Sequence, residues 1–289
     1  MLRIAIPNTG RLSEDTRELF NQAGLDVQVR GERALTASLG DEFEAIFVRA
    51  QDVPEFVADG AADAGVTGFD LVSESGRELD SLLDLEFGKC RLVVACREES
   101  AVTTVAEIDD SSRVATAFPS IARSYFSSVR TNPQIVPISG AAEIAPHLGI
   151  ADVILDVTST GSTLRTNGLR EIVTVMSSTA RLYAAQCRRT TWSAEKLNAL
   201  EELTGALASV IRARGKRYLM ANVRRDSLPK VKSILPGITG PTVVDILNGG
   251  AFVAVHSVIQ AESVYRTIAS LKELGAEGIL VTRIERLVP

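Results

Sequence analysis

EIAPHLGIADVILDVTSTGSTL, running from Glu143 to Leu164, is the stretch from which the rest of the chain is read. Its pattern predicts a short helix, a buried strand over Asp152 to Val157, a turn of small hydroxyl residues, and a new helix opening near Gly161. Thr158, Ser159, Thr160, Gly161, Ser162 and Thr163 place hydroxyls and one residue without a Cβ where strand hands over to helix. A helix start leaves N–H groups unpaired and carries partial positive charge, which favours anions. Gly161 lets the backbone approach a phosphate, and the hydroxyls can donate to its oxygens. Asp156 ends the apolar run just before the turn, where a carboxylate suits sugar hydroxyls or a metal ion rather than a phosphate. The combination describes a sugar-phosphate site. Read by itself, TSTGST is equally a Ser/Thr-capped turn into an ordinary helix, because these residues are preferred caps.

Strands alternate with helices on both sides of this stretch. Leu2 to Ile6 is a strand, followed by a helix capped by Ser13 and stopped at Gly24. Phe43 to Val48 is the next strand, and Asp52 caps a helix that carries Pro54 in its first turn and ends at Gly60. Ala62 to Thr67 runs into Gly68-Phe69-Asp70, and Leu85 to Ala95 is one long extended segment leaving this first lobe. A second series follows: a Thr104/Glu107 capping box, a strand over Arg113 to Ala117, a helix from Pro119 to about Val129, and a strand over Gln134 to Ile138. After the opening stretch, Ile172 to Val175 and Ala180 to Cys187 are strands, the latter returning to the first lobe. This alternation predicts parallel sheets covered on both faces, with ligands at the strands' carboxyl ends. Asn8 to Arg11, Arg49, Gly68 to Asp70, Phe118 to Ser120 and the TSTGST turn all fall at such ends.

Ser193 to Arg214 is the longest helical pattern, and past Gly215 the periodicity resets. Tyr218 to Val223, Ser227 to Ile234, Thr242 to Leu247, Phe252 to Val258, Glu262 to Leu274 and Gly278 to Arg283 spell βαββαβ, the ferredoxin-like plan. The expected division is residues 1–88 with 181–215 as one lobe, 89–180 as a second, and 216–289 as a C-terminal module.

Composition narrows the function. An apolar share of 45% with 23% charge over 289 residues is that of a globular protein with sizeable cores. The net charge of −5 supplies no basic face for nucleic acid. The three cysteines are odd in number and lack metal spacing, so reduced structural thiols are expected. With no leader pattern and no apolar run near ~18 residues, the expectation is a cytoplasmic protein that does not enter the membrane. No Walker loop, G-x-S-x-G elbow or G-x-G-x-x-G after a strand is present. His147 and His256 lack partners at metal or triad spacing, and Lys89 and Arg91 look like a solvated edge. Arg49, three residues before Asp52, either pairs with it or clamps a triphosphate. Arg11 and Arg33 carry the same two readings.

Glu143, Gly149, Ala151, Ile154, Asp156, Val157, Thr160, Gly161, Thr163 and Leu164, at these spacings, resemble the signature of the ATP phosphoribosyltransferases. The resemblance extends to LRIAIPNTGRLSE, FVRAQDVPEFVADGAADAGVTGFDL, EFGKCRLVVA, VATAFPS, RYLMANV, LPGITGPTV and KELGAEGIL, nearly the whole of the long form of that family. It implies an α/β protein with two periplasmic-binding-protein-like lobes around a catalytic cleft and a ferredoxin-like regulatory domain. Transfer of a phosphoribosyl group from phosphoribosyl pyrophosphate to N1 of ATP, Mg²⁺ dependence, inhibition by histidine and a homohexamer come with it. The resemblance puts phosphoribosyl pyrophosphate on Asp156, Thr158, Ser159, Thr160, Gly161, Ser162 and Thr163. It puts ATP against Arg11, Arg33, Arg49, Asp70 and Phe118, and histidine at Asn222, Thr242 and Ala276. Asp156 and Glu143 are the carboxylates expected to stabilise the transition state. Asn8 and Thr9 stand where many members have a lysine, Phe118 where relatives often have tyrosine, and Asn222 where some have aspartate. A two-lobed solute-binding protein is the rival from another class; it calls for an export signal and leaves the C-terminal module without a role.

Overall fold

The computed structural model describes residues 1–27, 35–185, 189–247 and 250–288. Arg33, Cys187 and the Asn248-Gly249 turn lie outside the described residues. The chain divides into two compact units, Met1–Leu207 and Ala208–Pro289.

The first unit is built on two sheets. Strands β1 (Leu2–Pro7), β2 (Thr36–Ser38), β3 (Phe43–Val48), β4 (Ala64–Gly68), β5 (Asp80–Asp84) and β11 (Ala180–Ala184) form the first, in the order β2-β3-β1-β4-β11-β5. The second contains β6 (Cys90–Arg97), β7 (Arg113–Thr116), β8 (Gln134–Pro137), β9 (Val153–Thr158) and β10 (Leu169–Ser178), in the order β10-β6-β9-β7-β8. Helices α1 (Arg11–Gln22), α2 (Val53–Ala58), α3 (Phe69–Ser75), α4 (Pro119–Ser128) and α5 (Ser162–Thr166) follow β1, β3, β4, β7 and β9 directly. Strands β1, β3 and β4 are parallel, as are β7, β8 and β9.

Each sheet is nonetheless mixed, which corrects the parallel expectation. β11 runs antiparallel to both β4 and β5, and β6 antiparallel to both β9 and β10. These are the segments by which the chain passes between the sheets, so they enter against the local direction. The extended segment expected over Leu85 to Ala95 is strand only from Cys90, where β6 begins; β5 has already ended at Asp84. Between them Glu86 and Gly88 take positive φ of 62° and 64°, which no continuous strand allows. Ser13 is likewise not a cap: α1 opens at Arg11 with Gly10 preceding it, and Ser13 is buried inside the helix.

The sheets' alternation fixes their cores. On the second sheet Leu92, Val94, Cys96, Val114, Val153 and Leu155 pack under α4 with Phe118, Ile121 and Phe126. Val93, Ala95, Ala115, Ile154, Leu164 and Leu169 face the opposite way. On the first sheet α2 lies so close over β4 that a Cβ on Gly65 would stand 2.5 Å from Val53 Cγ1 and 2.8 Å from Val57 Cγ2. Asp63, also buried, accepts the Arg3 N–H at 2.9 Å and the Lys196 ammonium at 2.6 Å, which ties the start of α6 (Ala194–Ala213) to this sheet.

In the second unit, β12 (Lys216–Arg224), α7 (Leu228–Ile234), β13 (Thr242–Asp245), β14 (Phe252–Gln260), α8 (Val264–Glu273) and β15 (Glu277–Arg283) succeed one another. The sheet order is β13-β14-β12-β15 with every pairing antiparallel, the ferredoxin-like arrangement. Leu219, Ala221, Val223, Val253, Val255 and Ile259 face Val231 and Leu235 on the α7 side and Leu271 on α8. Among the described residues, α7 and α8 both pack on this one face.

Two glycines test this packing with opposite signs. Gly65→Ala forces α2 away from β4 and should destabilise the protein by about 1–3 kcal/mol. Gly205→Ala, on an exposed turn of α6 with nothing within 4 Å of the new Cβ, should stabilise by about 0.8–1 kcal/mol. Equal denaturation midpoints for the two variants would refute the close α2–β4 contact.

Candidate functional site

The TSTGST turn joins β9 to α5, and its backbone is held from within. Gly161 sits at φ +73°, a left-handed conformation that reverses the chain out of the sheet. Its N–H donates to the buried Thr158 Oγ1 at 2.9 Å, and the Thr160 and Ser162 hydroxyls lie 2.9 Å apart. The backbone N–H groups of Ser159, Thr160 and Thr163 find no partner among the described residues. Three free donors and a set of small hydroxyls around one turn form a cup for an oxyanion.

Side chains that sequence reasoning passed over surround this cup. A Cβ on Gly161 would lie 2.8 Å from Glu171 Oε1 and 2.9 Å from Arg165 Nη1. The missing side chain therefore makes room for these two groups as well as permitting the turn. Arg165 donates to the Thr160 carbonyl at 3.3 Å. Arg91, taken above for a solvated edge, forks onto both Glu171 oxygens at 3.0 Å and reaches Thr174 Oγ1 at 2.9 Å. Nothing local betrays this pair, since Arg91 and Glu171 lie 80 residues apart. Only the β6–β10 pairing brings them together.

Asp156 lies two residues before the turn, with Val157 between, on the face shared with Ile154, and opposite Val93 on β6. Its Oδ1 accepts the N–H of Val157 at 2.8 Å. Burial pushes its pKa above the ordinary carboxylate value, and repulsion from Glu143 adds to the rise, against the effect of the Val157 hydrogen bond. The structure thus brings Glu143, in the 3₁₀ turn Ala142–Ile144, into electrostatic range of Asp156. His147 Nε2 donates to the Asn167 carbonyl at 2.7 Å and braces the far end of α5, a structural role.

The first sheet contributes cations. Arg11 opens α1 just past β1, and Arg49 follows β3; both are exposed, and neither side chain pairs with a described residue. The Arg49–Asp52 alternative is absent: only the Asp52 N–H meets the Arg49 carbonyl, at 2.9 Å. Asp70 is buried at the start of α3 and accepts the Ser178 hydroxyl at 2.6 Å. Its charge, added to burial, pushes the Cys90 thiol up to about 11, so this cysteine stays protonated and inert. Phe118 packs its ring into the core beneath α4 with 8% exposure, and little of it is displayed for stacking.

In the C-terminal unit Asn222 pairs with Ala254, and Thr242 with His256, all on the helix-free face. Ala276 instead packs toward the helix-covered core. Asn222 Nδ2 lies 3.2 Å from where a Cβ on Gly278 would be, so this asparagine abuts the irregular start of β15, just past Ala276.

Residues 49–209 match the family model "ATP phosphoribosyltransferase", and residues 213–286 match "HisG, C-terminal domain". An ATP phosphoribosyltransferase of Gemmatimonas aurantiaca is 63% identical over 292 residues, covering 100% of both chains. Another, of Haloarcula marismortui, is 48% identical over 289 residues, 99% of this chain and 100% of the relative. A chain of the ATP phosphoribosyl transferase (HisG:HisZ) complex from Thermotoga maritima matches with a TM-score of 0.62 at 27% identity, covering 72% of this chain and 99% of that one.

The raised pKa of Asp156 has a consequence for stability. Between the ordinary carboxylate pKa, about 4, and the raised value, the folded state holds more proton than the unfolded state, so stability falls as pH rises through that window. Asp156→Asn removes this loss while its amide oxygen can still accept from Val157. The variant should be more stable than the parent at pH 7, with the gain shrinking toward pH 4. A lower denaturation midpoint at neutral pH would show that the carboxylate is not under strain.

Proposed function

Since the chain belongs to the ATP phosphoribosyltransferase family, we propose that it transfers the phosphoribosyl group of phosphoribosyl pyrophosphate to N1 of ATP, the first step of histidine biosynthesis. The observation that carries this reading is the cup of free N–H groups and hydroxyls at Thr158 to Thr163, beside the Asp156–Glu143 acid pair. The cup takes the 5-phosphate, and the acids face the ribose. Arg11 and Arg49 hold the triphosphate of ATP, with Asp70 and Phe118 shaping that half of the cleft; Arg33 belongs to the same proposal by resemblance. The lobes are residues 1–88 with 181–215, and 89–180; the regulatory domain is 216–289.

Adenine N1 has a lone pair at neutral pH and needs no strong base. As N1 bonds to C1 of the ribose, the C1–O bond breaks and pyrophosphate leaves with the electron pair. Positive charge builds on the ring, where Asp156 and Glu143 stabilise it. The loop contributes by fixing the phosphate, which orients C1 toward N1. Among the described residues no three acidic, His or Cys side chains converge on a metal site. Two repelling carboxylates next to substrate phosphates do fit Mg²⁺, which keeps few protein ligands, and Glu143 and Asp156 would hold it. When bound, it supplies charge neutralisation on the pyrophosphate.

Incubation with ATP, phosphoribosyl pyrophosphate and Mg²⁺ should generate the ultraviolet absorbance of an N1-substituted adenine. Asp156→Asn should lower kcat by about 10²-fold, the scale of one preorganised electrostatic contact. Gly161→Ala, strained at positive φ and crowded by Glu171 and Arg165, should raise KM for phosphoribosyl pyrophosphate. No absorbance change with the parent protein would sink the reading, and an unchanged KM in Gly161→Ala would sink the phosphate cup.

The C-terminal unit is proposed as a histidine sensor at Asn222, Thr242 and Ala276, in a cytoplasmic homohexamer. Its helix-free sheet face exposes Met220, Val244 and Leu280, an apolar surface suited to another copy. Asn222 can accept from an ammonium only through a neutral oxygen, so Asn222→Asp should tighten histidine binding and leave uninhibited turnover unchanged. Calorimetry that finds no histidine binding to either protein well above millimolar concentration would remove the sensor role.

A further inference from the structure

Helix α4 begins without a cap of its own. Phe118, at its N-cap position, makes no side-chain hydrogen bond, and Pro119 takes the first turn. The orphan N–H groups go instead to Glu74 on α3, 46 residues earlier and attached to the other sheet. Glu74 accepts from Ser120 N at 2.9 and 3.1 Å, one bond to each oxygen, and from Ile121 N at 3.0 Å. Neighbouring residues of α3 reach the same way. Asp70 takes the Ser178 hydroxyl on β10, and Leu71 packs against the core beneath α4. Three residues of one short helix thus attach the first sheet's β4–α3 corner to the second sheet, and Glu74 supplies the charged contact.

We propose that Glu74 is a positioning residue for the ATP half of the site. By holding the start of α4 against α3, it sets the separation of Asp70 and Phe118, which lie at the first turns of the two helices. This rests on the reading that ATP lies against those residues. The phosphoribosyl cup on β9 and α5 has its own internal hydrogen bonds and does not depend on Glu74.

Two measurements on the intact protein decide the matter. Glu74→Ala should raise KM for ATP about tenfold, the scale of a lost charge-assisted hydrogen-bond pair, and leave kcat and KM for phosphoribosyl pyrophosphate nearly unchanged. Amide exchange at Ser120 and Ile121 should accelerate in the same variant. Glu74→Gln keeps acceptor oxygen without the charge, and its KM for ATP should rise only about threefold. A folded Glu74→Ala protein whose KM for ATP is unchanged or lower overturns the proposal, as does an equal rise in both KM values. If Glu74→Ala does not fold, an unchanged KM for ATP in Glu74→Gln overturns it. ATP should also slow exchange around Asp70 and Phe118 in the parent protein. Absence of that protection removes the ATP reading and this proposal with it. Protection together with an unaltered KM in the variants removes the proposal alone.

Discussion

The left-handed turn at Gly161 is the constraint on which the site depends. A strand leaving a sheet must reverse within a few residues if a helix is to pack back on it, and a positive φ achieves this without a Cβ clash. Here the turn also has a fixed interior: Thr158 Oγ1 takes the Gly161 N–H, and Glu171 and Arg165 close in where a side chain would be. With those contacts made inward, the N–H groups of Ser159, Thr160 and Thr163 are left for something else. Unpartnered N–H groups around a turn suit an anion without any net positive charge on the chain, so the net charge of −5 does not count against the phosphate-binding reading proposed for it.

Charge is distributed around that cup with a consistent logic. Arg91 is neutralised by Glu171, so its guanidinium stiffens β6 against β10 and adds little free charge. Arg11 and Arg49, just past strands of the other sheet, have no side-chain partner among the described residues. Asp156 and Glu143 repel each other in a half-buried place, an arrangement that costs stability until a cation or a positively charged sugar ring relieves it. An acid pair under strain beside a neutral anion cup suits a reaction whose ring becomes positive while its phosphates stay negative.

Much of this was legible in the sequence because it is local. The hydroxyl-rich turn, the strand ends, each read to within one residue of Pro7, Val48, Gly68, Thr116 and Thr158, and the βαββαβ order after Gly215 all depend on residues within a few positions of one another. The failures have local and non-local causes. The strand Asp80–Asp84 escaped notice because its apolar pair, Leu82-Leu83, is too short to show a period of two. Antiparallel entry of β6 and β11 is a property of the crossing and leaves no residue signal. The Arg91–Glu171 fork and the Glu74 clamp span 80 and 46 residues, so neither partner announces the other. Ser13 is no cap for another local reason: serine is a preferred cap, but Gly10, three residues earlier at φ +78°, already precedes the first helical residue.

These non-local contacts matter most for how two substrates could meet. The second sheet provides the phosphate cup and the acid pair, while the first provides the exposed arginines, so neither half holds all the chemistry. Correct placement therefore depends on whatever fixes one sheet against the other. The two covalent crossings are tied to each other: the Ala180 N–H donates to the Phe87 carbonyl at 3.0 Å, the Thr179 hydroxyl donates to Asp84 at 2.8 Å, and Gly88 packs against Leu12. The α3 corner adds direction: a buried carboxylate on a serine, a leucine in the opposing core and a second carboxylate across two helix N–H groups. Hydrogen bonds to ionised groups are strong and directional. The leucine contact is neither, and adds partial apolar burial against the core beneath α4. The corner thus couples the two sheets through side chains as well as through the chain itself.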